Sequence, residues 1–198
     1  RTTPANLDFQ YVPVQPAENT PMTLNLNSLT VDNQTTEGSV TVITQKVIPG
    51  DPVTYEDVRT QYTKNGGGIA TNTGSGITLT TAKDLSVTAR TTAIEASGGS
   101  SITGTIGGNF PVRSQDVGIS AAEAAAGDGL KQAANFTLSG GTAEISAVND
   151  AIHISGLQSS ASVKGASSIV IKSDSGSALS LAGGGQFQLD TAKEGDDY

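Results

Sequence analysis

ITLTTAKDLSVTARTTAIEASGGSSITG, residues 77–104, decides the fold. Within it an aliphatic residue opens a four-residue unit, a small or apolar residue follows two places on, and hydroxyls fill the gaps: Ile77-Thr78-Leu79-Thr80, Leu85-Ser86-Val87-Thr88, Ile94-Glu95-Ala96-Ser97, Ile102-Thr103-Gly104-Thr105. Alternation of this kind places every second side chain on one face of a strand. Working outward, Ile69-Ala70-Thr71-Asn72 precedes the stretch, so the opening aliphatics stand at 69, 77, 85, 94 and 102. After residue 135 the pattern resumes as Phe136/Leu138, Ala143/Ile145, Ile152/Ile154, Ala161/Val163, Ile169/Ile171, Leu179/Leu181 and Phe187/Leu189. Twelve units at a spacing of seven to ten residues predict folded β structure, with Gly, Ser, Asn and Asp in the turns between strands.

Strands with two inward side chains cannot build a thick core, but they line a narrow one when stacked. Three geometries fit the period: one chain coiling with two or three strands per rung, three chains interweaving, or an antiparallel meander of short hairpins. The fold class is therefore mainly β, a short-strand repeat of the β-helix or solenoid kind or a sandwich-like meander.

Composition agrees. Among 198 residues are 24 Gly and 46 Ser or Thr, against four Phe, four Tyr and no Trp, so any core comes from Ile, Val, Leu and Ala. No Cys and a single His exclude thiol chemistry, disulfides, zinc clusters and haem-type ligation. A net charge of −8 with 11 basic residues argues against nucleic acid or an anionic membrane as partner. No apolar run reaches the roughly 20 residues of a membrane span.

The chain changes character near residue 65. Six of the seven prolines lie before residue 53, and only Gly38 and Gly50 of the glycines lie before residue 65. Residues 1–65 read as a proline-containing extended arm plus a small β region, and residues 66–198 as the Gly/Ser/Thr-rich repeat. Residues 1–21 are extended, because proline fixes its own φ and biases its predecessor. Met22, Leu24 and Leu26 alternate as a strand, Ser39–Val47 forms another, and Pro49-Gly50-Asp51-Pro52 turns the chain. Thr54–Thr63 fits either a short helix or a strand. A first residue Arg1, with no signal-peptide pattern behind it, reads as a processed chain or as part of a longer one. One segment interrupts the repeat: Ser120-Ala121-Ala122-Glu123 matches a capping box, Ala-rich residues follow, and Gly127-Asp128-Gly129 stops or kinks the chain. A short helix is expected within residues 120–134, covering an edge or packing on a neighbour.

Chemical motifs are sparse. His153, between Ile152 and Ile154, faces away from the side those isoleucines share, with no nucleophile and carboxylate attached by sequence. Asp150, Asp174 and Asp190 lie in or near turns, where Asp is favoured for its local hydrogen bonds. Paired-acid catalysis on them is the least favoured reading. Lys64-Asn65-Gly66-Gly67-Gly68 lacks the G-K-[ST] of a phosphate loop and reads as a hinge, and Gly74-Ser75-Gly76 does not extend to G-x-G-x-x-G. Ser173-Asp174-Ser175-Gly176 is the nearest approach to a calcium-repeat pattern, and Glu194-Gly195-Asp196-Asp197 reads as a solvated tail. Asn33-Gln34-Thr35 and Asn135-Phe136-Thr137 match the glycosylation sequon, which a Thr-rich chain yields by chance. No catalytic, cofactor-binding or metal-ligating residue is assigned, and no cofactor is expected.

In its repeat style, residues 77–104 resemble the β-helical stems of phage tail spikes and contractile-injection spikes, and the repeats of large secreted adhesins of the filamentous-haemagglutinin kind. The resemblance extends over 69–107 and more loosely over 136–190. It implies a non-enzymatic structural subunit of an extracellular, cell-surface or virion assembly such as a spike, fibre, tail or filament. Such a subunit self-associates and meets other assembly subunits through β pairing, with residues 1–31 either adding a strand to a neighbour's sheet or packing on their own domain. The alternative is a surface adhesin that recognises glycan or host protein through turn loops on one face.

Overall fold

A computed structural model describes residues 16–34, 39–52, 54–63, 66–71 and 73–192. The chain coils through successive rungs of three short strands. The first rung holds β1 (Pro21–Leu26) and β2 (Leu29–Asn33); a hairpin, β3 (Ser39–Ile48) and β4 (Thr54–Thr63), intervenes before β5 (Ile69–Ala70) closes it. The second comprises β6 (Gly76–Thr81), β7 (Leu85–Ala89) and β8 (Ile94–Ser97), and the third β9 (Ser101–Ile106), β10 (Phe110–Ser114) and β11 (Ile119–Ala122). The fourth comprises β12 (Gln132–Leu138), β13 (Thr142–Ala147) and β14 (Ile152–Ser155). The fifth comprises β15 (Ser159–Ala166), β16 (Ser168–Ser173) and β17 (Leu179–Ala182), and β18 (Gln186–Thr191) begins a sixth.

From β5 onward every third strand joins the same sheet. Sheet I runs β1-β6-β9-β12-β15-β18, sheet II β16-β13-β10-β7-β2-β3-β4, and sheet III β17-β14-β11-β8-β5. All pairings are parallel except those of β3 with β2 and with β4. Of the geometries the period allows, the molecule takes the single-chain coil with three strands per rung. Register partners show the rung length directly: Ile69, Ile94 and Ile119 stand 25 residues apart in sheet III, as do Val87 and Val112 in sheet II. The step widens to 32 from Ile102 to Ala134, because residues 123–131 bulge out of the corner between β11 and β12, and to 33 from Val112 to Ile145 with one more residue in the turn between β12 and β13. The compositional boundary at residue 65 falls inside the first rung, between β4 and β5.

Each sheet contributes columns of inward side chains, one residue per rung. Sheet III stacks Ile69, Ile94, Ile119 and Ile152, all at most 1% exposed. Burying such a side chain fully contributes roughly 1.5–3 kcal/mol, so four like residues in register form a strong seam. Sheet I stacks Leu24, Leu79, Gly104, Phe136 and Val163. Gly104 makes room for the Phe136 ring, which lies against Phe110 with ring centroids 4.6 Å apart. Between sheets II and III the chain turns on small residues: Gly68, Ala93, Gly118 and Ala151 precede the four isoleucines. A Cβ at Gly118 would meet Ile145 Cγ2 at 3.0 Å, and one at Gly68 would meet Val87 Cγ1 at 2.8 Å, so these corners close tightly.

The helix expected within 120–134 is not formed. Residues 119–122 are β11, residues 123–131 are an irregular excursion, and β12 starts at Gln132; no helix occurs among the described residues. Packing overrides the local signal. Ile119 and Ala121 fill the inward columns between Ile94/Ala96 and Ile152/Ile154, and a helix would take them out. Glu123 does not cap Ser120; its Oε2 accepts the Gly127 N–H at 2.7 Å instead. Thr54–Thr63, open between helix and strand, is a strand paired with β3 along its whole length. Residues 21–26 and 29–31 of the proposed exchange arm are paired within their own chain, to β6 and β7. Residues 1–15 lie outside the described residues, as do Lys64, Asn65 and Glu194–Asp197.

Candidate functional site: a groove across sheet I

The turn carboxylates and amides mostly serve the stack. Asp84 Oδ1 accepts the Asn109 N–H at 2.7 Å, and Asn109 Oδ1 accepts the Thr142 N–H at 3.0 Å, one rung further on. At the next corner Asp116 Oδ1 accepts from Asn149 Nδ2 at 2.7 Å, and Asp150 Oδ1 accepts the Ser177 N–H at 3.0 Å. Each side chain thus stitches one rung to the next, and all but Asp116 do so by accepting a backbone N–H at a corner.

The three acids singled out in the sequence are not brought together. Asp190 lies in β18 on sheet I, where it accepts from Gln188 Nε2 at 3.2 Å. Asp174 lies in a shallow depression on sheet II with Arg113, Glu144 and Lys172, and Asp150 sits at the turn into sheet III. The structure does join Asp150 to His153: Oδ2 stands 3.4 Å from Nδ1, yet Nδ1 makes no hydrogen bond, so the groups are adjacent but not aligned. His153 points outward as its alternation requires, and its register neighbours are Ser120 and Ser180. No described hydrogen bond links the imidazole to either serine, so carboxylate, imidazole and hydroxyl do not form a relay. No group of three His, Cys, Asp or Glu side chains is placed to hold a metal ion among the described residues.

The two sequons differ. Asn33 is fully buried and donates from Nδ2 to Gly67 O at 2.9 Å, which removes it as an acceptor of glycan in the folded chain. Asn135 sits mid-strand in β12 on the outer face of sheet I, and its Oδ1 accepts from Ser162 Oγ at 2.7 Å.

That outer face carries an extended concavity, which the sequence reading did not single out. Two adjoining depressions, each of about 400 Å³, share Asn135 and Ser160. One includes Gly99, Ser101 and Lys131; the other reaches Thr137, Lys164 and Gln188. Its floor is made by outward positions of β12, β15 and β18. Two departures from the regular coil border it. The excursion 123–131 rises beside its start, with Leu130 seated over Gly99. Gln132, fully buried at the foot of that excursion, donates to Leu130 O at 2.9 Å and Ser159 Oγ at 2.7 Å, and accepts the Gly99 N–H at 3.1 Å. At the other end the register of β15 with β18 slips at Gly165, whose φ is +75°, immediately after Lys164. A bulge of this kind bends the strand and re-aims the neighbouring side chain.

Fold and surface together define a class, the single-chain parallel β-solenoid with three sheets. Compared with known protein families, with curated proteins and with solved structures, the chain finds no match.

Proposed function

We propose that the chain is a non-enzymatic structural subunit of an extracellular or virion assembly, acting through β pairing between subunits. The observation that carries this reading is the last full rung. Leu179 and Leu181, which continue inward columns of sheet III, are 41% and 48% exposed, and Leu189 of β18 is 42% exposed. At the opposite end Leu24, Leu29, Val31 and Ile69 are buried. Exposed leucines on inward columns of the last described rung support the stacking of a further β layer upon it, and an open edge of this kind otherwise invites uncontrolled pairing. The extracellular or virion setting rests on the likeness of repeat style to spike stems and secreted adhesins.

Sedimentation velocity across the micromolar range tests the reading. Concentration-dependent association is expected, and the pair Leu181→Lys and Leu189→Lys is expected to abolish it without unfolding the chain, because both positions are already half exposed. A strict monomer at all concentrations, or association indifferent to both substitutions, would overturn it.

A further inference from the structure

We infer that the groove across sheet I binds an acidic polysaccharide, an extended chain of sugars bearing carboxylates. The inference goes beyond the assembly role and does not depend on it. Its charged lining is cationic, on a protein whose net charge is −8. Lys131 lines the start of the groove and Lys164 its far end, and neither makes an ion pair among the described residues.

Carboxylates that neighbour these lysines in sequence or register accept hydrogen bonds from other groups. Asp128 accepts the Leu130 N–H at 2.9 Å and the Ala125 N–H at 3.3 Å, and Glu123 accepts the Gly127 N–H. Asp190 is the register partner of Lys164 but accepts from Gln188. Neither ammonium group is therefore tied into an ion pair among the described residues, and each stays open to a further carboxylate. Both are placed by irregularities that a plain rung does without: Lys131 by the inserted excursion and its buried Gln132 anchor, Lys164 by the bulge at Gly165. These features flank one groove from opposite ends, which is the arrangement expected where an edge is shaped for a ligand.

The span selects an extended ligand. Lys164 pairs in register with Thr137, six residues along the strand from Lys131, which is roughly 20 Å at the rise of a β-strand. Several pyranose rings fit end to end over that length. Between the lysines the floor offers the side chains of Asn135, Ser160, Ser162 and Gln188, which exchange hydrogen bonds with sugar hydroxyls as readily as with water. Two lysines on an acidic protein are too few to hold the dense phosphate of a nucleic acid against the repulsion of its surroundings. A sparsely charged carboxylated chain with many hydroxyls matches both the number of cations and the neutral floor.

Calorimetric titration with oligogalacturonate, with neutral dextran oligomers and with single-stranded DNA tests the inference on the whole chain. Oligogalacturonate is expected to bind, weakening as salt is raised, with dextran much weaker and DNA not bound. Lys131→Gln and Lys164→Gln are each expected to weaken binding roughly fivefold, the size of a single exposed charge contact. Lys172→Gln on sheet II, where the lysine faces Glu144 at 3.5 Å, is expected to leave it unchanged. All three substitutions sit on the surface, so unaltered thermal melting separates lost binding from lost fold. No binding of oligogalacturonate, binding that survives the double lysine change, equal binding of dextran, or preferential binding of DNA would each overturn the inference.

Discussion

Gly104→Ala isolates the packing of the core from the conformational freedom of the strand. At an ordinary strand position, replacing glycine by alanine restrains the unfolded chain and stabilises by about 0.5–1 kcal/mol. Gly104 has no left-handed φ, so its backbone accepts alanine without strain. The new methyl, however, would lie 2.6 Å from Phe136 Cδ1 and 3.1 Å from Cε1. The ring cannot swing aside, because it is 1% exposed and packed on Phe110, itself fully buried. Overpacking of this kind costs about 1–3 kcal/mol, which exceeds the backbone gain and leaves a net loss of about 1–2 kcal/mol. For a chain of this length that lowers the melting temperature by about 2–8 °C. Phe136→Leu alone also destabilises, by leaving space beside Phe110. The double variant is expected to be less destabilised than the sum of the two, with a coupling of about 1 kcal/mol. Thermal melts followed by circular dichroism, on all four members of the cycle, supply the measurement. A neutral or stabilised Gly104→Ala, or strict additivity in the cycle, would refute the column Leu79–Gly104–Phe136 as the cause.

Ile119→Ala, in the isoleucine seam of sheet III, is expected to cost about 2–5 kcal/mol in chemical denaturation, because rungs above and below hold their spacing and a cavity remains. Excising residues 124–130 joins Glu123 to Lys131, so that Glu123-Lys131-Gln132 matches the three-residue link Gly98-Gly99-Ser100 one rung earlier. The chain is then expected to fold with its melting temperature moved by no more than about 4 °C, whereas collapse of the β signal would show that the excursion holds the stack together.

Much of the coil was legible because one physical rule repeats. Wherever an aliphatic residue opened a unit with a second apolar residue two places on, as at Ile77/Leu79 or Ile152/Ile154, the alternation was enough to place a strand. The period alone did not choose among coil, trimer and meander, since each uses the same short strand; the choice lies in the 25-residue return of Ile69 to Ile94 to Ile119. Phe110/Val112 and Ile119/Ala121 continue the spacing 102, 110, 119 and were readable as β10 and β11. Pro111 and the Ser120–Glu123 capping pattern concealed them, because local signals carry no information about the columns waiting in adjacent rungs. The groove was less legible still. Lys131 and Lys164 are 33 residues apart in sequence, and only the stacking of β12 on β15 shows that they bound one surface. The meeting of Asp150 with His153 was likewise hidden, since a three-residue separation across a corner does not fix side-chain direction.

The return of like residues at 25 positions has a bearing on heredity. Residues 77–101 comprise one complete turn, and Ile102 stands upon Ile77 as Val112 stands upon Val87. Tandem duplication of that segment would set each copied isoleucine against an isoleucine and each copied valine against a valine. The molecule would lengthen by about 4.8 Å with no new contact to invent. Length in such a chain is therefore a trait that recombination alone can alter, one turn at a time, while the three outward faces remain free to diverge by point substitution.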